Sequence, residues 1–112
     1  MAVTAKPIID PLQIAAANTT QYTAPVGTRT IIDKFTATNT TAGAQTFTVF
    51  LVKAAGAAGA ANTIISAKSV APGETYNCPE LVGHVLNTGD FIVTAASAGA
   101  AITVRASGRE VT

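Results

Sequence analysis

The sequence predicts an all-β fold, a single antiparallel β-sandwich or jelly-roll-like domain of seven to eight short strands with an extended N-terminal arm. Turn residues recur about every ten residues, the segments between them are rich in Val, Ile, Thr and Phe, and none has a helical pattern. The 112 residues are the length of one domain. We therefore expect an arm over residues 1–11 and a β-sandwich over residues 12–112.

The N-terminal segment is predicted to be extended because Pro7 and Pro11 flank the sequence Ile8-Ile9-Asp10. Proline fixes its own φ and biases the preceding residue away from the helical region. Ile8 and Ile9 are then free to reach over a neighbouring subunit, by strand addition or as a clamp. We expect the arm to add contact area to an assembly.

The rest of the chain divides into strand segments separated by turn chemistry. Ala71-Pro72-Gly73-Glu74 suits a type II turn, and Asn87-Thr88-Gly89-Asp90 is a second turn. Residues 54–62 are predicted to be a loop, because Gly56 and Gly59 would each cost a helix about 1 kcal/mol. The predicted strands cover residues 12–17, 19–24, 30–38, 45–53, 63–70, 91–97 and 102–107, and two short pieces, 75–77 and 81–86, lie around Pro79.

The alternation of side chains along each strand predicts which face is buried. Near the C-terminus, Ile102, Val104 and Ala106 are predicted to point inward, and Thr103, Arg105 and Ser107 outward. In the segment 45–53 the odd positions form the core face, and in the segment 30–38 Ile31, Phe35 and Ala37 share one face.

The same alternation leaves large apolar residues on faces that would meet water. Ile32, Phe50 and Ile92 lie on these outer faces. In one interpretation, loops or the arm cover such residues within a single chain. In the other, they form a subunit interface on the sheet that carries Phe50 and Val52. Under the second interpretation the chain is a homo-oligomer or binds an assembly partner through Ile8, Ile9, Ile32, Phe50, Val52 and Ile92.

No residue pattern indicates catalysis, and we predict neither an enzyme nor a cofactor. Cys78 is the single thiol and His84 the single imidazole; a Cys–His pair would need an oxyanion motif, and Pro79 follows Cys78 directly. A buried, unreactive thiol is the favoured interpretation. One histidine without clustered carboxylates does not give zinc-ligand spacing, and no phosphate-binding loop is present.

Charge and hydropathy argue against two further classes of partner. Seven basic residues are scattered among six acidic ones, so we expect no nucleic acid ligand. No run of residues approaches the eighteen apolar positions of a membrane helix, so we expect no membrane. Carbohydrate binding usually relies on exposed aromatic platforms, and here only Tyr22 and Tyr76 offer amphipathic rings.

Turn and strand signatures after residue 12 resemble small β-sandwich structural proteins of tailed bacteriophages. The resemblance covers nearly the whole of that part of the chain. The segments that carry it are QYTAPVGT (21–28), IIDKFTATNT (31–40), FTVFLV (47–52), APGET (71–75), LNTGDFI (86–92) and ITVRASG (102–108).

The resemblance implies a non-enzymatic virion component that is present in many copies and contacts a major capsid or tail protein. Head decoration, in which the protein cements the capsid lattice, is the favoured role. A tail, neck or baseplate location is the first alternative, and a host receptor- or glycan-binding module is the second. In each virion role the protein is assembled in the host cytoplasm and resides in the particle.

Overall fold

A computed structural model describes residues 2–112, which form nine β-strands and one short 3₁₀ helix. Turns that contain proline or glycine follow most of the strands, as the sequence predicts. The strands are β1 (Val3–Gln13), β2 (Thr19–Thr23), β3 (Arg29–Asn39), β4 (Gln45–Val52), β5 (Thr63–Val70), β6 (Thr75–Tyr76), β7 (Val85–Leu86), β8 (Phe91–Ala96) and β9 (Ile102–Val111), and the 3₁₀ helix is Ala60–Asn62.

The strands form two antiparallel sheets, which confirms the predicted β-sandwich. The first sheet has the order β1-β9-β3-β6, with β7 also pairing with β3, and the second has the order β2-β8-β4-β5. Because β6 and β7 pair with opposite ends of β3, they act as two halves of one interrupted strand. With that pair counted once, the chain has eight strands, and consecutive strands change sheet at every connection except that between β4 and β5, as in a jelly roll.

The N-terminal segment differs from the expected arm, because it is a strand of the first sheet. β1 pairs with β9 from Val3 opposite Val111 to Gln13 opposite Thr103. Proline is compatible with an edge strand and with bulges, and the register shifts twice between Pro7 and Leu12. This segment therefore contributes to the core of its own protomer.

An extra residue in β3 decides which side chains of the first sheet face the core. Ile32 is opposite Gly108 and Lys34 is opposite Ser107, so Asp33 has no partner of its own and forms a β-bulge. The inward positions are even before the bulge and odd after it. They are Thr30, Ile32, Phe35, Ala37 and Asn39, all fully buried.

The bulge makes two sequence predictions wrong. Ile32 lies in the core and not on an outer face, and Ile31 points outward while Phe35 points inward. Strict alternation across the whole strand cannot anticipate the inversion. In β9, whose pairing with β3 is regular from Ile102 to Ser107, the predicted inward set Ile102, Val104 and Ala106 is confirmed.

The second sheet shows how the loop after β4 protects apolar residues outside the main core. Val52 and Val93 are buried but do not belong to the central cluster. The loop folds back over Val52, since a Cβ at Gly56 would lie 3.3 Å from its Cγ1. Asn62 fixes the loop by accepting a hydrogen bond from the Gly59 amide (2.9 Å) and donating one to the Ala57 carbonyl (2.8 Å). The predicted loop is thus ordered by its own last residue.

Asn39 ties three connections together at one end of the sandwich. Its buried side-chain amide donates to the carbonyls of Gly43 (2.8 Å) and Val70 (2.9 Å), and its oxygen accepts from the amide and hydroxyl of Thr41. Its backbone also bonds to the turn before β6, through Gly73 and Glu74. Because all the hydrogen-bonding capacity of the side chain is used, burying it is not penalised.

Replacing Gly108 with alanine is expected to destabilise the fold at the bulge. A Cβ at this position would lie 2.2 Å from the carbonyl oxygen of Ile31, so the backbone of β3 or β9 must move. Overpacking of this kind costs about 1–3 kcal/mol. Urea denaturation would measure the loss in the free energy of unfolding.

Gly99→Ala is the matched control, because an added Cβ there meets nothing within 4 Å and the position does not require a positive φ. Its free energy of unfolding should equal or slightly exceed that of the wild type. Equal stability of the two variants would contradict the close packing of β3 on β9.

Candidate assembly interface

Five of the six residues predicted for an interface lie inside the protomer. Ile8, Ile9, Ile32, Val52 and Ile92 are all buried, so they do not form the exposed apolar surface that the sequence predicts. Phe50 alone is partly exposed, and its role in an interface stays a prediction.

The physical reasons differ from one residue to the next. Ile8 and Ile9 are buried by β1 pairing with β9, and Ile32 is turned inward by the bulge at Asp33. Val52 is covered by the loop after β4. Ile92 lies opposite Leu51, which packs on the core, so the inner face of β8 carries Ile92 and Thr94.

The outer face of the first sheet has an apolar end, which we define as Val3, Ile31, Val85 and Val111. The strand register places Val85 beside Ile31 and Val111 beside Val3 on the same face. Val3 is 56% exposed and Val85 49%, while Ile31 and Val111 are partly buried. This patch joins side chains from four strands, which sequence spacing alone does not reveal.

The same face has a basic end, which we define as Lys34, Thr36, Arg105 and Ser107. Lys34 is opposite Ser107 and Thr36 opposite Arg105, so the cations and the hydroxyls occupy opposite diagonals of a four-residue square. These side chains line a shallow depression of about 270 Å³ in the sheet surface. Within residues 2–112 neither Lys34 nor Arg105 forms an ion pair.

An ion pair separates the two ends of the face. Arg109 donates from Nε to both carboxylate oxygens of Asp33 (3.1 and 3.0 Å) and from a terminal nitrogen to Oδ1 (2.9 Å). The hydrogen bonds to Asp33 raise the pKa of Arg109. The bulged residue thus neutralises Arg109. Among the described residues, Lys34 and Arg105 at the basic end, and Arg29 opposite Val111, have no carboxylate partner.

A partly buried polar contact beneath the apolar end links the two sheets. The hydroxyl of Tyr22, on β2, donates to Glu110 on β9 (2.6 Å) and lies 2.7 Å from the hydroxyl of Thr30 on β3. Burial and the bond to Glu110 raise the pKa of Tyr22 to about 12, so this proton is retained at physiological pH. The contact holds β2 against the first sheet.

Cys78 and His84 occupy different environments. Cys78 is fully buried and its thiol donates weakly to the Tyr76 carbonyl (3.7 Å), which confirms that the thiol is buried. Burial, and to a lesser degree the Glu80 carboxylate, raises its pKa to about 12. His84 is exposed, beside a surface cavity of about 260 Å³ that Leu51, Ile64 and Val85 also line. A neutral buried thiol is a poor nucleophile.

Two further features of the described residues bear on function. Among residues 2–112 no three His, Cys, Asp or Glu side chains come together in a way that would hold a metal ion. Over the same residues no helix is long and apolar enough to cross a membrane.

Asp90 anchors the start of the long loop to the turn between β7 and β8. Its carboxylate accepts hydrogen bonds from the amides of Ala54 and Asn87 (both 3.0 Å) and from the Lys53 ammonium (3.3 Å). Burial acts to raise the pKa of Asp90, but these donors outweigh it, so the pKa lies below its usual value.

Comparisons with known proteins identify no family for this chain. No protein-family model matches it, and no curated protein matches it. Among solved structures, a chain in the structure of the Gx strain of infectious bursal disease virus is similar, with 17% sequence identity and a TM-score of 0.49. The alignment covers 97% of this chain and 31% of that one, so this chain spans about a third of its length.

A thiol reagent such as DTNB is expected to leave Cys78 unmodified in the folded protein at pH 8 and to modify it completely in urea. The reason is that the thiol is both inaccessible and protonated. Absorbance at 412 nm follows the reaction. Rapid stoichiometric modification of the folded chain would show that the thiol is accessible.

Asp90→Asn should lower the free energy of unfolding at pH 7 by about 1–3 kcal/mol, since hydrogen bonds to a charged acceptor are lost. Because the folded pKa is depressed, the ionised carboxylate stabilises the fold above its unfolded pKa of about 4. That contribution disappears as the pH falls through the folded pKa, so wild type and variant should converge in acid.

Chemical denaturation between pH 2 and pH 7 measures this convergence. Asp10→Asn is the control, because Asp10 is an exposed carboxylate on β1 and its removal should change stability by less than about 0.5 kcal/mol. A stability difference for Asp90→Asn that stays constant with pH would contradict the role of the charge.

Proposed function

We propose that this chain is a non-enzymatic structural component of a virion, and that it works through protein–protein contacts made by the outer face of its first sheet. The observation that carries the proposal is the arrangement of that face, where the exposed apolar end adjoins the uncompensated basic end. An apolar patch bordered by polar residues is typical of a protein–protein contact surface.

The size of the face is suited to such a contact. β1, β3 and β9 are 10 or 11 residues long, and β6 and β7 extend the sheet by one further strand position. With a strand spacing of about 4.8 Å and a rise of about 3.3 Å per residue, the face measures on the order of 700 Å². A standard protein interface buries about 800 Å² on each partner.

The fold is compatible with this role but does not assign it. Jelly rolls form viral capsid domains, and they also form lectins and cupins. The resemblance of the turn and strand segments to small structural proteins of tailed phages favours the virion. We therefore propose a tailed phage as the source, with head decoration favoured over a tail, neck or baseplate position.

The mechanism is stabilisation by repeated contact. A single interface of this size gives moderate affinity, but many copies on a lattice reinforce the particle because neighbouring contacts must break together. The partners are the major capsid protein or a tail protein, and homo-oligomers on the lattice are part of the proposal.

The two tyrosine rings give little support to the glycan-binding alternative. Tyr22 uses its hydroxyl in the contact between the sheets, and Tyr76 packs on Phe47 with ring centroids 6.2 Å apart while Lys68 lies over its ring. Each ring already has protein contacts that a stacked sugar would have to replace.

Quantitative mass spectrometry of purified particles tests the proposal, using the virus whose genome encodes this chain. We expect many copies of the chain per particle, and we expect separated heads to retain them if the decoration role is right. Retention by isolated tails would support the tail alternative. Absence of the chain from purified particles, together with specific binding on a saccharide array, would replace the virion role with the glycan-binding one.

A further inference from the structure

We propose that the basic end of the first sheet binds carboxylate side chains of a different protein in the particle, while the apolar end covers an apolar patch on the same partner. This inference rests on the proposed function and adds the chemistry of the partner. The residues assigned to the carboxylate contact are Lys34 and Arg105, with the hydroxyls of Thr36 and Ser107 between them.

The charges of the chain point to an acidic partner. Four of the six carboxylates are already engaged within the protomer, namely Asp33, Glu80, Asp90 and Glu110. Lys6, Lys53 and Arg109 are paired with three of them. Lys34 and Arg105 sit on one diagonal of adjacent strands, where like charges repel each other and an external anion relieves the repulsion.

Hydroxyl groups on the other diagonal complete the site. Thr36 and Ser107 each offer a donor to an oxygen held between the two cations, and a guanidinium matches the two oxygens of a carboxylate. These side chains extend from paired β-strands, so the backbone that carries them is in place before a partner arrives. The affinity therefore does not have to include the cost of ordering a loop.

The apolar end explains why the partner should be a protein. A phosphate, a sulfated sugar or a nucleic acid would leave Val3 and Val85 exposed beside the bound anion, whereas a protein surface brings apolar side chains of its own. A second copy docked symmetrically through this face would set Lys34 and Arg105 against either their equivalents or the apolar end, and neither arrangement supplies the carboxylates that these cations need. A different protein with carboxylates beside an apolar patch satisfies both ends.

The experiment uses particles purified from virus in which a stop codon removes this chain, to which the purified full chain is added back. Binding is measured by co-sedimentation for the wild type, Lys34→Glu, Arg105→Glu and the control Lys68→Glu. Lys68 is an exposed cation on β5 of the second sheet, so its reversal changes net charge equally away from the face. Circular dichroism confirms that each variant is folded.

We expect Lys34→Glu and Arg105→Glu each to weaken binding about tenfold or more, and Lys68→Glu to change it less than about threefold. Binding of the wild type should weaken as salt is raised, and that of the two face variants should depend less on salt. Wild-type affinity in both Lys34→Glu and Arg105→Glu would overturn this inference without contradicting the proposed function. Failure of the wild-type chain to bind would reject the proposed function as well.

Light scattering of the free chains separates a second copy from a different protein. If the wild type forms oligomers and Lys34→Glu dissociates them, the face binds another copy, for example through its Asp10 or Glu74, and the inference is overturned. The same oligomeric state for both chains, combined with weaker particle binding by Lys34→Glu, supports a different protein as the partner.

Discussion

The rest of the structure depends on the bulge at Asp33, where β3 contains one more residue than β9. Because Gly108 lies opposite Ile32, the two backbones approach closely enough that even one Cβ would clash with Ile31. The bulge keeps both halves of β3 in the core, one through Ile32 and the other through Phe35. Without it, one half of the strand would present its apolar residues to water.

The same bulge determines the outer face. It turns Ile31 outward on one side and Lys34 outward on the other, so the apolar and basic ends meet at the Asp33–Arg109 pair. A packing requirement of the interior therefore has a direct consequence for recognition. The surface proposed to bind a partner is the outer side of an arrangement that the core requires.

Much of the fold could be predicted from the sequence, since β-branched segments separated by proline and glycine turns leave few alternatives to a sandwich. The inward residues of β9 followed from simple alternation. Ile32 and Ile92 were misplaced for two different reasons: an unpaired residue inverts the alternation in β3, and both faces of β8 are apolar. The basic end was not predicted, because Lys34 and Arg105 are far apart in sequence and meet only through the register of two strands.

Lysine acylation of intact particles, followed by mass spectrometry, tests most directly whether the outer face of the first sheet is the contact surface. Lys34 lies on that face, and Lys68 lies on the other sheet. If a partner covers this face, Lys34 is acylated much more slowly in the particle than in the free protein, while Lys68 reacts at similar rates in both. Equal reactivity of Lys34 in the two states, with protection of Lys68, would contradict it.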